Sequence, residues 1–293
     1  QDVTTEPRAT RSGSSAAIPG TSELVPDGQE LVAQAAQRLL VAPGLEAKTR
    51  QSVEVFGQHL VGSGAYSQLT NGPRLYLKLD LKLQVADQVR TLRQISDGDS
   101  LWEVQGQGEQ QTFSHVNLGR LRDVARRMQP AVPPTYWMAL GGIPRLLAEL
   151  EKNFAFQSPQ AIQIGAHPVW SVQGQWKPEV LATMLPDQKD AILAGQDPRL
   201  SALPSQVPHG VTLILGRDKI IPLFPYSFSF HRDVVADEET GVIERVALVT
   251  WELFEVRIRP EFRPSDFDFR PNNQDFQERT DHYVARLKAA AEG

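Results

Sequence analysis

The sequence lacks cysteine altogether among its 293 residues. This absence excludes disulfide bonds, cysteine-ligated zinc, iron–sulfur clusters and thiol catalysis. No apolar run approaches the roughly 20 residues that a membrane-spanning helix needs. An excess of positive charge is also missing, because the formal net charge is −5, whereas a protein that binds nucleic acid presents a basic face. We therefore expect no nucleic-acid partner.

The common catalytic signatures are missing as well. The chain contains no His-Glu-x-x-His, no phosphate-binding loop, and neither Gly-x-Gly-x-x-Gly nor Gly-x-Ser-x-Gly. Its six histidines include no pair at i and i+4, the spacing that places two metal ligands on one helical face. We therefore predict no catalytic residue, no metal and no cofactor. A hydrolase that uses two carboxylates remains the enzymatic alternative, because separation in space cannot be read from a sequence.

Composition divides the chain into a leader and a folded part. Residues 1–22 are rich in Thr, Ser, Arg, Pro and Gly, which is typical of a flexible leader. Residues 23–293 are predicted to form a single domain, since a chain of this length can bury about three quarters of its unfolded surface. Within that domain, residues 118–210 have mainly helical patterns, with strand patterns at residues 161–164 and 169–173, and are interpreted as a helix-rich insertion.

Residues 74–83 carry the clearest pattern in the chain. Leucine occupies every second position, and mostly charged residues lie between the leucines. Strict alternation is the period of a strand with one apolar face and one solvated face. Ten residues at about 3.3 Å each span roughly 33 Å, so this leucine ladder needs a large apolar partner. The partner is a helix, a second sheet or a lipid-like ligand.

Turn signals divide the rest of the chain into about ten strands and a few helices. Asn71-Gly72 and Asp97-Gly98 are typical of hairpins, and Gly62-Ser63-Gly64 is interpreted as a turn. Asp27, with Glu30 three residues later, predicts the beginning of a helix. Because the strands follow one another at hairpin spacing, a doubly wound parallel fold is excluded. The predicted fold class is α+β, with a mainly antiparallel sheet.

Leucine and aromatic side chains on the concave face of a curved sheet would line an apolar pocket. The predicted lining is Leu75, Leu77, Leu79, Leu81, Leu83, Trp102, Trp137, Met138, Phe228 and Phe254. The alternative is a fully packed core, because apolar strand faces usually only pack.

Two local motifs resemble those of the periplasmic lipoprotein-carrier family, the Lol-type carriers. The first is a proline followed by a basic residue and an aromatic-containing strand, at residues 73–76. The second is the hairpin Ser-Asp-Gly-Asp-Ser-Leu-Trp at residues 96–102. This chain departs from the family in one respect, because the family has a basic residue directly before the proline and Gly72 stands there.

A third stretch extends the resemblance toward the C-terminus. Residues 254–256 read Phe-Glu-Val and lead to Phe-Asp-Phe-Arg-Pro at residues 267–271, which is similar to the closing strand and exit of the family. The likeness covers roughly residues 24–116 and 211–271. Residues 118–210 go beyond a minimal carrier, and they either cover the pocket as a lid or fill it.

The resemblance implies a strongly curved, open half-barrel sheet wrapped around helices, whose concave apolar face holds acyl chains or another hydrophobic ligand. It implies a non-catalytic carrier or sensor of that ligand, exported to the bacterial periplasm or cell envelope, with the leader as a membrane tether. Lipoproteins or a membrane surface are the expected further partners. The alternative function is a structural or protein-interaction module with a filled core and no ligand.

Overall fold

The computed structural model describes residues 26–55, 58–72, 74–85, 88–108, 110–127, 134–205, 207–237, 242–271 and 275–292. The predicted leader at residues 1–22 lies outside this part of the chain. The described helices and strands are, in chain order, α1 Gly28–Val41, β1 Gly44–Val55, β2 Gln58–Asn71, β3 Arg74–Val85, β4 Gln88–Ser96, β5 Ser100–Gln107, β6 Gln110–Asn117, α2 Leu118–Arg127, α3 Pro134–Asn153, β7 Phe154–Phe156, β8 Gln160–Ile164, β9 His167–Trp176, α4 Pro178–Met184, α5 Lys189–Leu193, β10 Gly210–Gly216, β11 Pro225–Asp237, β12 Val242–Ile258, β13 Gln277–Glu278 and α6 Thr280–Glu292.

These strands form one sheet in the order β13-β6-β5-β4-β3-β2-β1-β12-β11-β10-β9-β7, and β8 also pairs with β9. Within the described residues the pairings are antiparallel, except the parallel pairing of β13 with β6. No described pairing joins the β13 edge to the β7 edge, so the sheet is open. The predicted α+β fold with an open, mainly antiparallel sheet around helices is confirmed.

The sheet has more and longer strands than the sequence predicts. β2 runs without interruption through Gly62-Ser63-Gly64, so the predicted turn there is wrong. A Cβ at Gly64 would lie 1.7 Å from the backbone oxygen of Asp80 in β3. Glycine is therefore required here for the close approach of two strands, and a close approach produces the same sequence signal as a turn.

The segment predicted as an insertion extends the sheet in addition to forming helices. Residues 118–210 contain α2 to α5, and between α3 and α4 they also contain β7, β8 and β9. These strands follow β10 in the sheet order and form one of its edges. This segment therefore builds part of the sheet's framework.

Helix α1 begins where the sequence predicts it. The Asp27 side chain accepts a hydrogen bond from the backbone N of Glu30 at 3.0 Å, which satisfies one of the free donors of the first turn. At the other end, Gln68 Nε2 of β2 donates to the backbone oxygen of Leu39 at 3.0 Å. The buried face of α1 is Leu31, Val32, Ala35, Ala36 and Leu39. The sheet thus caps the helix that covers it.

Helix α3 breaks at Gly141-Gly142, and the break docks on the centre of the sheet. Gly142 has φ +63°, and a Cβ there would lie 2.6 Å from the hydroxyl oxygen of Tyr66. The backbone N of Ile143 donates to that hydroxyl at 3.3 Å, and the hydroxyl donates to Gln68 Oε1 at 2.9 Å. Burial raises the pKa of Tyr66, so the phenol stays neutral and remains a donor.

These contacts define two faces of the sheet. The inner face bears Tyr66, Leu79 and Leu101, which lie in one buried apolar cluster with side chains of α1 and α3. The outer face bears the residues that alternate with them, including Lys48 and Asp80.

The inner face of β3 should dominate the stability of the chain. Leu79 is 5% exposed, and truncating a buried leucine costs about 2–5 kcal/mol. Lys78, its neighbour on the outer face, makes only a 3.8 Å contact with Asp80 at a partly exposed site, and such a residue contributes within about 1 kcal/mol. In urea unfolding, Leu79→Ala should therefore lose several times more free energy of unfolding than Lys78→Ala. Equal losses would contradict the assignment of the two faces.

Two buried histidines lie where the loop of residues 197–209 meets the sheet. The backbone N of Asp233 donates to His209 Nδ1 at 3.1 Å, and among the described residues neither ring nitrogen of His231 has a hydrogen-bond partner. Burial lowers the pKa of His209 and of His231, and the nearby Arg232 and Arg245 lower them further. Both rings are therefore neutral in the folded chain at neutral pH.

This pair predicts a loss of stability in weak acid. Because the pKa of each histidine in the folded chain lies below the unfolded value of about 6.5, the unfolded chain is protonated first as the pH falls. The contribution is complete above about pH 6.5 and is lost as the pH falls toward the folded pKa. The fall in thermal midpoint from pH 7.5 to pH 5.5 should be smaller in His231→Phe than in the unmodified protein. An unchanged fall would show that His231 is not responsible.

Candidate functional site

The leucine ladder faces the helical layer. Leu77, Leu79 and Leu81 are 3–5% exposed, and Leu79 and Leu81 lie in the apolar cluster that contains the inner faces of α1 and α3. A Cβ at Gly142 of α3 would lie 3.5 Å from Leu77 Cδ2. Along its middle, the partner of the ladder is therefore a helix. Leu75 and Leu83, at its two ends, are half-buried.

Three further members of the predicted lining lie in or near this layer. Phe228 is fully buried on the inner face, in the same cluster as Leu79. Trp137 and Met138 belong to α3, but their side chains lie outside the described part of the molecule. A ligand-binding role for these residues and for the ladder stays a prediction.

Trp102 and Phe254 project from the outer face, so the prediction that all ten side chains share one face is wrong for these two. Trp102 pairs with Ile95, which pairs with Lys78, and Phe254 pairs with Lys48. Alternation from the buried Leu101 could have placed Trp102. Phe254 precedes a β-bulge, where Glu255 has φ +50° and the register shifts, and local periodicity cannot reveal such a shift.

A segment that we name the strap, residues 259–271, crosses the outer face after β12. Phe267 packs on Tyr76 at a ring distance of 6.0 Å. Phe269 lies 6.0 Å from the ring of Trp102 and is stacked on Phe113 at 6.3 Å. The strap therefore covers Trp102 with protein, and the predicted exit motif at residues 267–271 forms this cover.

The hairpin motif at residues 96–102 is a structural turn. Asp97 Oδ1 accepts hydrogen bonds from the backbone N of Asp99 at 2.9 Å and of Ser100 at 2.7 Å. Gly98 has φ +91°, and its backbone oxygen accepts from Arg122 of α2. Arg74 pairs with Asp99 at 2.9 Å. The motif thus joins β3, the turn and α2, which gives it a role in folding without any ligand.

Two clefts open on the outer face within the described part of the chain. The hairpin cleft, of about 610 Å³, lies between the β8–β9 hairpin and β12, and its apolar lining includes Ile164, Val169, Ile214, Tyr226 and Phe254. The strap cleft, of about 640 Å³, runs beside the strap over β1 to β6 and is lined partly by Phe113, Phe254 and Phe269. Phe254 lines both clefts, and its side chain is half-buried.

A large open sheet is expected to twist, and this twist leaves room for clefts on its outer face. β9 and β12 are three positions apart in the sheet order, which is roughly 14 Å in a flat sheet. Strand-to-strand twist accumulates into a saddle, and each face of a saddle is concave along one diagonal. Helices fill the inner concavity where the leucines lie, whereas the hairpin cleft exposes Ile164 at 51%.

The charges around the clefts are mostly arranged as ion pairs. Arg50 lies 3.5 Å from Glu252 and 5.8 Å from the ring centre of Phe254. Lys48 pairs with Glu255 at 2.6 Å. In the strap cleft Asp80 accepts from Arg93 at 2.5 Å, while Lys82 has no ion-pair partner among the described residues.

The acids of the clefts each face a cation. Glu252, Glu255 and Asp80 are each paired with arginine or lysine. Glu103 is a buried acid of the inner face, where it accepts from Gln94 Nε2 at 2.7 Å and from the Tyr283 hydroxyl at 3.0 Å. In the described residues, no three His, Asp or Glu side chains are grouped as metal ligands.

Comparison with known proteins finds neighbours in structure only. No protein-family model matches the sequence, and no curated protein sequence matches it significantly. A DUF1329 family protein from Desulfovibrio piger is similar at a TM-score of 0.36 and 10% identity, over 82% of this chain and 95% of that one. LprF from Mycobacterium bovis is similar at a TM-score of 0.37 and 11% identity, over 80% of this chain and 96% of that one.

A third neighbour is a domain from Vibrio parahaemolyticus assigned as an outer membrane lipoprotein-sorting protein. Its TM-score is 0.35 at 7% identity, over 82% of this chain and 96% of that one. One domain of the class that the sequence motifs resemble is thus among the neighbours. These scores are low, and the fold assignment rests on the strand order of the chain itself. Among the described helices, none has both the length and the apolar character to cross a membrane.

Proposed function

We propose that the protein binds an acyl chain without catalysis, and that the chain lies in the hairpin cleft. The observation that carries this proposal is an open cleft of about 610 Å³ whose lining is mostly apolar. Pockets for small ligands occupy about 300–1,000 Å³ and combine apolar walls with a few polar groups. Here Arg50, Glu252 and Glu255 are those polar groups, and they lie beside Phe254.

The cleft exposes apolar surface that the rest of the fold leaves uncovered. All five residues of β8 are exposed, and among them Ile162 is 38% and Ile164 is 51% exposed. Ile164 continues into the apolar lining of the cleft, and a contiguous exposed apolar surface can mark a place where another molecule binds. About ten buried methylenes contribute about 8 kcal/mol, from which the costs of association are subtracted. A half-open cleft therefore fits reversible binding, as a carrier or a sensor requires.

The wider role is proposed from the motif resemblance to lipoprotein carriers. We infer a carrier or sensor of the bacterial periplasm or cell envelope, tethered through its leader, which exchanges its ligand with lipoproteins or a membrane surface. Release of the protein from source cells by osmotic shock, or its recovery with membranes, would support this location. Recovery in the cytosol alone would contradict it.

One observation favours a second function. The middle of the leucine ladder is filled by α1 and α3, as expected for a structural or protein-interaction module that holds no ligand. Under that function, the exposed isoleucines of the β8–β9 hairpin would contact a protein. The two functions differ in whether the purified chain binds a free amphiphile.

The variant Ile164→Ser tests the position of the ligand. Removing the exposed isoleucine from the cleft wall should weaken binding of a dansyl-labelled fatty acid about fivefold, the equivalent of about 1 kcal/mol of lost apolar contact. The matched control is Ile243→Ser, since Ile243 is 68% exposed on β12 and does not line either cleft. Titration of fluorescence measures both variants.

Two results would contradict the proposal. The first is that the unmodified protein does not bind the labelled fatty acid at about 100 μM, a concentration well above a Kd of about 1 μM. In that case the protein is better described as an interaction module. If Ile164→Ser and Ile243→Ser weaken binding equally, the ligand does not lie in the hairpin cleft. Unchanged thermal midpoints in both variants would show that folding is not the cause.

A further inference from the structure

The hairpin cleft and the strap cleft meet at Phe254. This side chain lines both of them, with Arg50 and Glu252 on the hairpin side and Lys48 on the strap side. β1 and β12 are adjacent strands, so the two clefts adjoin across a single strand pair. One elongated molecule can therefore place its two ends in different clefts.

The two clefts differ in charge. The strap cleft is lined by Lys48, Lys82 and Arg93 against one carboxylate, Asp80. Lys48 is paired with Glu255 at 2.6 Å, so the positive charge of this lining comes mainly from Lys82, in a chain whose formal net charge is −5. Asp80 is already paired with Arg93 at 2.5 Å and lies 3.8 Å from Lys78. Lys82 is exposed and has no ion-pair partner among the described residues.

The side chains that lie between these cations on the outer face are small. Ala65 lies in register between Lys48 and Asp80, and Ser63 lies in register with Lys82. Lys48 and Asp80 are therefore two strands apart, roughly 10 Å, with only a methyl group between them. The small side chains leave room for a polar group between the lysine and arginine side chains and the sheet. These small residues belong to or adjoin Gly62-Ser63-Gly64, the stretch of β2 that the sequence predicts as a turn.

We propose that the strap cleft binds the anionic head group, a carboxylate or a phosphate, of the amphiphile whose chain lies in the hairpin cleft. This inference rests on the proposed function and adds the class of ligand, an anionic single-chain amphiphile. Lys82, which has no ion-pair partner in the described part of the chain, supplies the attracting charge. Lys48 and Arg93 add donors from the two sides while they stay paired with Glu255 and Asp80. Phe254 marks the boundary between head and chain.

The test compares probes that differ only in the head. Oleate, 1-oleoyl lysophosphatidate and neutral oleyl alcohol displace the labelled fatty acid at pH 8, below their aggregation concentrations. The unmodified protein should bind at least one of the two anions about tenfold more tightly than the alcohol, and the tighter one identifies the head as carboxylate or phosphate. Lys82→Gln should reduce that preference about threefold, the effect expected of one exposed charge. It should leave binding of the alcohol unchanged.

The control variant is Lys189→Gln, which removes an exposed lysine on α5, outside both clefts. If all three probes bind equally well to the unmodified protein, the head-group inference is overturned and the proposed function stands. If Lys189→Gln reduces the preference as much as Lys82→Gln, attraction by the whole surface explains it and the strap cleft is not the site. If none of the probes binds, the proposed function fails together with the inference.

Discussion

The packing of the leucine face of β3 against the broken helix α3 fills the inner face of the sheet along the middle of that strand. The break at Gly142 places the backbone of α3 against the Tyr66 hydroxyl, and Tyr66 passes the hydrogen bond on to Gln68. This chain of donors holds the helix over Leu77 and Leu79. A strand with five leucines needs an apolar partner, and here the protein supplies it along the middle of the strand.

Because helices fill the inner face, the open clefts lie on the outer face of the sheet. Strand alternation gives each strand a second set of side chains, and the bulge at Glu255 keeps Phe254 on the outer side. The strap covers one region of that side through Phe267 and Phe269. The apolar surface beside the β8–β9 hairpin stays open. Two adjoining clefts lie on this face, one with a largely apolar lining and one whose lining has three cations and one carboxylate.

Local signals in the sequence predict the local parts of this structure. The N-cap Asp27, the turn at residues 96–102 and the alternation in β3 all depend on neighbours within a few residues. Sheet order, the entry of β7 to β9 into the sheet and the outer position of Phe254 depend on long-range pairing, which a single sequence does not display. The role of a glycine is ambiguous for the same reason. Gly64 is required for the close approach of two strands, but a glycine in a turn has the same appearance in the sequence.

We expect the ligand to lie outside the helical layer, and photo-crosslinking tests this most directly. A fatty acid with a diazirine in its chain is bound to the intact protein and irradiated, and the modified peptides are located by mass spectrometry. The account predicts modification within residues 160–169 and 252–256, with loss of the signal when excess oleate is present. Modification confined to α3 and to the leucines of β3 would place the ligand on the inner face and contradict it.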